Sequence, residues 1–153
     1  MIEMLPAQKK ALAAPAVADA DDWDYDEFCA AYFTSTYPQE RQGTDWFENV
    51  LACQGNQVFY NHGSRVMSQI MHYLNERKED FGRWSRTFFT FQSAPMTLIW
   101  GVEDPVAKIE MADRVKRERP YTDYYRMDGT GHWPTIEIPD FVAETIINRL
   151  NQE

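Results

Sequence analysis

The stretch Ala94-Pro-Met-Thr-Leu-Ile-Trp-Gly-Val-Glu-Asp-Pro105 decides how the second half of this chain folds. Its centre, Met96 to Trp100, is a compact apolar run held between Pro95 and Gly101. A run of that length between chain breakers reads as a parallel strand buried on both faces. Pro105 then predicts the opening of a helix on which Ile109, Ala112 and Val115 recur, and Pro120 closes it. Thr122-Asp-Tyr-Tyr-Arg-Met127 reads as a second strand that ends in the turn Asp128-Gly-Thr-Gly131. Pro139 opens a last helix with Phe141, Val142, Thr145, Ile146 and Leu150 on one face. The order strand, helix, strand, helix implies parallel strands joined by a right-handed crossover. Residues 93–153 are therefore expected to be a βαβα unit of α/β class.

Upstream the rhythm is helical. Asp24 with Glu27 resembles a capping box, and Phe28, Ala31 and Tyr32 follow on one face until Tyr37-Pro38 breaks the helix. Thr44 is a good N-cap for a second helix carrying Trp46, Phe47, Val50 and Leu51, with Gly55 expected just past its end. A third helix is predicted from a Ser64 cap, with Val66, Met67, Ile70, Met71 and Leu74 as its apolar stripe. Gly82 is expected to end it. Residues 23–92 thus read as a helical region. Residues 1–22 read as a mobile entry segment. Ala11 to Ala20 follows Lys9-Lys10 as a signal peptide would, but Pro15, Glu3 and the alanine-dominated composition argue against one.

Composition excludes several classes of function. The chain has 153 residues, of which 44% are hydrophobic and 14% aromatic, enough for a real core. Its 15 Lys+Arg against 24 Asp+Glu give a net charge of −9, which argues against nucleic acid as a partner. No uninterrupted apolar run approaches the roughly 18–20 residues of a membrane span. The two cysteines, Cys29 and Cys53, form no C-x-x-C pair, so neither a disulfide framework nor a zinc cage organises the fold. Two thiols fit a reducing, cytoplasmic setting. His62, His72 and His132 lack metal-ligand spacing. No metal or organic cofactor is expected.

In open parallel sheets, functional residues sit just beyond the carboxyl ends of strands. Here the first strand runs into Glu103-Asp104-Pro105 and the second into Gly131-His132-Trp133-Pro134. Taken singly, Asp104-Pro105 is an ordinary turn and His132 a histidine packed beside Trp133. Taken together, at the ends of consecutive strands, they suggest a carboxylate that orients an imidazole acting as general base. Trp133 is a candidate for substrate contact. Trp46 and Trp84 are weaker candidates for the same pocket, and Trp100 reads as core. Arg77, Arg83 and Arg86 read as a solvated helix face.

The same residues carry a resemblance. Ala94 to Pro105, followed by Gly129-Thr-Gly-His-Trp-Pro-Thr-Ile-Glu-Ile-Pro139, resembles the C-terminal part of the α/β-hydrolase family, in particular its epoxide hydrolase and haloalkane dehalogenase branch. Met71-His-Tyr-Leu-Asn-Glu-Arg-Lys78, with Arg83-Trp84 and Asp45-Trp46, is similar to the helical cap of hydrolases related to the mesoderm-specific transcript protein. The resemblance covers the chain from about Tyr25 onward. It implies Asp104 as the acid and His132 as the base, in a partial α/β-hydrolase fold whose helical cap precedes a core part with two parallel strands. It also implies hydrolysis of a small hydrophobic ester, epoxide or halide.

One family element is missing. No G-x-S-x-G elbow or Asp-bearing equivalent lies between a strand and a helix; Asn61-His-Gly-Ser-Arg65 follows no apolar strand and suits a loop and N-cap. The chain is thus expected to be truncated, lacking the first six strands of the core and its nucleophile and oxyanion hole. It should be inactive alone, and should self-associate or pair with a nucleophile-bearing chain. The alternative from another class is a non-catalytic binding module derived from such a hydrolase.

Overall fold

The computed structural model describes residues 24–66, 69–70, 72–91 and 93–151. The expected entry segment, and Met67 and Met71 of the predicted stripe, lie outside them. Among the described residues the architecture is mixed helix and sheet with two parallel strands. The chain divides into two compact units. One runs to Ser35 and resumes over Arg41–Phe88; the other joins Thr36–Glu40 to the residues from Phe89 onward.

The first unit is helical. Helix α1 (Tyr25–Tyr32) starts where the Asp24 side chain accepts a hydrogen bond from the Glu27 amide at 2.9 Å. Helix α2 (Asp45–Phe59) starts where the Thr44 hydroxyl accepts one from the Phe47 amide at 3.2 Å. Both caps satisfy amides that the first helical turn leaves without a partner. Phe28 is fully buried between them, stacked on Tyr32 at 4.5 Å and edge-on to Phe59 at 5.4 Å.

The helices depart from the sequence expectation at two glycines. Gly55 lies inside α2, because a Cβ there would overlap the Tyr25 hydroxyl and the Cys29 sulfur. It is a packing glycine that lets α1 approach, not a helix stop. Gly82 likewise fails to end its helix, and α3 runs from Tyr73 through it to Thr90. A glycine in an exposed helix interior costs only ~1 kcal/mol against alanine, which seventeen other helical residues outweigh. Ser64 does not cap this helix; it is buried in a 3-10 segment, Tyr60–Val66, entered through left-handed Asn61 (φ 50°) and His62 (φ 60°). Of the predicted stripe, Val66 and Ile70 are exposed.

The second unit holds the sheet. Strand β1 (Thr97–Gly101) pairs in parallel with β2 (Asp123–Met127), Thr97 opposite Asp123 and Gly101 opposite Met127. Helix α4 (Ile109–Glu118) connects them and buries Ala112 completely. It starts later than Pro105 suggested. The Asp104 carboxylate accepts hydrogen bonds from the Val106 and Ala107 amides, both at 2.8 Å, and this local turn displaces the first helical turn. Asp113 of α4 accepts from the Tyr124 hydroxyl at 2.9 Å and from Arg126 at 2.6 Å, fixing the helix to β2. A four-residue helix, α5 (Pro134–Glu137), leads into α6 (Pro139–Leu150), where Phe141 meets Tyr125 edge-on at 5.4 Å.

Two glycine substitutions should therefore act in opposite directions. At Gly101 an added Cβ would overlap the carbonyl oxygens of Gly131 and Thr130, whereas at Gly82 it meets nothing. In urea titrations, Gly101→Ala should lower stability by about 1–3 kcal/mol, and Gly82→Ala should raise it by about 0.5–1 kcal/mol.

Candidate functional site

The loops beyond β1 and β2 are joined by a short ladder of hydrogen bonds. The Val102 amide donates to the Met127 carbonyl and the Glu103 amide to the Thr130 carbonyl, each at 3.0 Å. The Glu103 side chain accepts from the Gly129 amide at 3.1 Å, where a left-handed φ of 68° requires glycine. Asp104 and His132 therefore leave adjacent strands side by side.

They meet through the Asp104 Oδ2 and His132 Nδ1 atoms, 2.8 Å apart. The Asp104 side chain is buried, while 30% of the His132 side chain remains exposed. Burial alone would raise the Asp104 pKa. The His132 hydrogen bond and the Ala107 and Val106 amides more than offset it and hold the carboxyl below its usual range. An ionised carboxylate can only accept, so its pairing assigns the proton to Nδ1 and leaves Nε2 as the basic nitrogen.

The backbone around His132 is equally constrained. The His132 amide donates to the Thr36 carbonyl at 3.0 Å. Glu137, itself buried, accepts from the Gly131 amide at 3.1 and 3.0 Å through its two oxygens and from the Trp133 amide at 3.0 Å. Trp133 packs edge-on to the His132 ring at 5.0 Å, and its indole N–H donates to the Thr36 hydroxyl at 2.7 Å.

The chain is 31% identical over 91 residues to proteins named "Putative hydrolase LipZ" from two Mycobacterium tuberculosis strains, CDC 1551 / Oshkosh and ATCC 25618 / H37Rv. The match covers 60% of this chain and 31% of each relative, so the chain spans about a third of the length of the relatives it matches. No family model matches the chain, and no solved structure matches it. The similarity is thus a distant one, to part of each relative.

Among the described residues, no group of three or more His, Cys, Asp or Glu side chains is placed to hold a metal ion, and no helix is long and apolar enough to cross a membrane. Of the other tryptophans, Trp100 is half-buried with its indole N–H donating to the Ala107 carbonyl at 2.6 Å. Trp46 and Trp84 are exposed, Trp46 beneath the Arg41 guanidinium at 5.0 Å. Sequence reasoning missed Thr36 and Glu137. Glu137 left a faint signal, an acidic residue one turn past the loop's Trp133-Pro134. Thr36 left none, because it lies 97 residues from the indole it holds.

The lowered Asp104 pKa fixes the sign of a pH effect. A carboxyl whose folded pKa lies below its unfolded value of roughly 4 stabilises the fold above that value. That contribution disappears as the pH falls through the lower, folded value. Asp104→Asn should cost about 1–3 kcal/mol at pH 7 by denaturant titration. The gap to the unsubstituted chain should narrow on acidification below roughly pH 4.

Proposed function

We propose that Asp104 and His132 are the acid–base half of a hydrolytic site. Asp104 holds the Nδ1–H tautomer and stabilises the imidazolium, while Nε2 of His132 removes a proton from the attacking group and returns it to the leaving group. The observation that carries this reading is the 2.8 Å contact between a buried carboxylate and a partly exposed imidazole just past two parallel strands. The homology to a hydrolase supports it.

The finer reading is a small hydrophobic ester, epoxide or carbon–halogen substrate, as in the epoxide hydrolase and haloalkane dehalogenase branch, with Trp133 contacting it. Residues 23–92 then correspond to a cap-like region and residues 93–153 to the C-terminal part of the core. The nucleophile comes from outside these 153 residues, on a longer chain or a second one. Among the described residues β1 is paired to β2 alone, and the other edge of β1 is where an additional strand would join. The two free thiols, Cys29 and Cys53, fit a cytoplasmic setting.

A second reading has its own observation. Phe81, Trp84 and Phe88 of α3 are all exposed, which suits a protein-binding module better than an enzyme surface.

Ester hydrolysis separates the two. Purified chain given a chromogenic ester should show no burst of product, because no nucleophile elbow is present to be acylated. Supplied with a nucleophile-bearing partner, it should turn over, and His132→Ala should lose roughly 10²–10⁴-fold. Turnover that survives His132→Ala would overturn the assignment, and failure to turn over with any such partner would favour the binding module.

A further inference from the structure

The loop that carries His132 is held by an unusual acceptor. Three successive amides, those of Gly131, His132 and Trp133, make hydrogen bonds that belong to no helix or strand ladder. The middle one reaches the Thr36 carbonyl, and the two flanking it converge on the single carboxylate of Glu137. Glu137 Oε1 takes both flanking amides, at 3.1 and 3.0 Å, and Oε2 takes the Gly131 amide again at 3.0 Å. The carboxylate is buried, with the residue only 6% exposed. Carboxylates are rarely buried unless their hydrogen bonds are satisfied, and charge-assisted bonds to backbone amides are stronger than neutral ones.

We propose that Glu137 is a positioning residue for His132. It fixes the peptide units on either side of the histidine, and so fixes the direction in which the imidazole leaves the backbone. That direction determines whether Nδ1 meets the Asp104 carboxylate. Glu137 touches neither the ring nor a substrate; it acts through the loop. The inference rests on the reading of Asp104 and His132 as an acid–base pair and extends that pair to a third carboxylate, reached through the backbone.

Two substitutions at Glu137 differ in what they leave behind. Glu137→Ala removes the acceptor and leaves two amides of a buried loop without their carboxylate. Glu137→Gln keeps an oxygen where Oε1 stands, able to accept both flanking amides. It also loses the charge and sets an NH₂ group against the Gly131 amide where Oε2 had accepted. The two variants should therefore disturb His132 to different degrees.

The experiment is nitrogen-15 NMR of the histidine rings in the full 153-residue chain, above the pH at which the rings are neutral. The readout is the ratio of Nδ1–H to Nε2–H tautomers. His62 and His72 lie in the other unit and serve as internal controls. In the unsubstituted chain His132 should be almost wholly Nδ1–H. Glu137→Ala should lower its ratio roughly fivefold or more, the equivalent of one net hydrogen bond. Glu137→Gln should give an intermediate value, and the signals of His62 and His72 should stay in place. If Glu137→Ala does not fold, Glu137→Gln carries the test, and a His132 ratio equal to that of the unsubstituted chain in that variant overturns the proposal. Asp104→Asn separates this failure from that of the underlying reading. If Asp104→Asn shifts the His132 ratio and neither Glu137 variant does, the pair stands and Glu137 has no positioning role. If Asp104→Asn leaves the ratio unchanged, the acid–base pair itself is wrong.

Discussion

Gly101 and Gly131 approach so closely that a methyl group on the first would strike the carbonyls of Gly131 and Thr130. The same is true in reverse on the far side, where a Cβ on Gly131 would press on the Thr36 carbonyl and the Pro38 ring. Three pieces of backbone are thus brought close together around these two glycines. This close packing lets the ends of β1 and β2 share hydrogen bonds beyond the sheet. It sets Asp104 within reach of His132 and brings the Thr36 carbonyl to the His132 amide. A bulkier residue at either glycine would part these pieces and separate the groups that meet there.

The polar groups around the pair follow from that close approach. A loop pressed between two pieces of backbone cannot give its amides to water, so each needs an acceptor within the protein. The chain supplies these from two directions: the Thr36 carbonyl for His132 and the Glu137 carboxylate for Gly131 and Trp133. Asp104 does the same for Val106 and Ala107 while its second oxygen serves the imidazole. Asp104 and Glu137 therefore each carry part of the backbone as well as their charge, which gives an acidic protein a structural use for two buried carboxylates.

Some of this was legible in the sequence. Pro95 and Gly101 bracket a largely apolar run that reads as a strand, though β1 is half-buried rather than buried, and strand ends are where parallel sheets gather functional side chains. The juxtaposition of Asp104 with His132 follows from those two local facts. Gly55 and Gly82 were not legible, because a glycine means a stop or a close approach depending on what packs against it. Tyr25 and Cys29 decide this for Gly55 from a different helix. Thr36 was beyond reach for the same reason: nothing near it in sequence marks it as a partner of Trp133. The late start of α4 was hidden because Asp104 serves two masters, a turn and a histidine, and the pattern of apolar residues reports only the helix.

The route of the chain has a practical side. Residues 36–40 group with the sheet although the residues before and after them group with the helices, so the polypeptide passes from one unit to the other three times. The sheet-bearing unit is consequently not a contiguous stretch. An expression boundary placed at residue 93 would retain Asp104, His132, Trp133 and Glu137. It would discard Thr36, and with it the acceptors of the His132 amide and the Trp133 indole. Dissection of this protein by cutting at that junction would yield a piece with Asp104 and His132 but an unanchored loop. Circular permutation or a tethered 36–40 peptide is the form in which that unit can be studied separately.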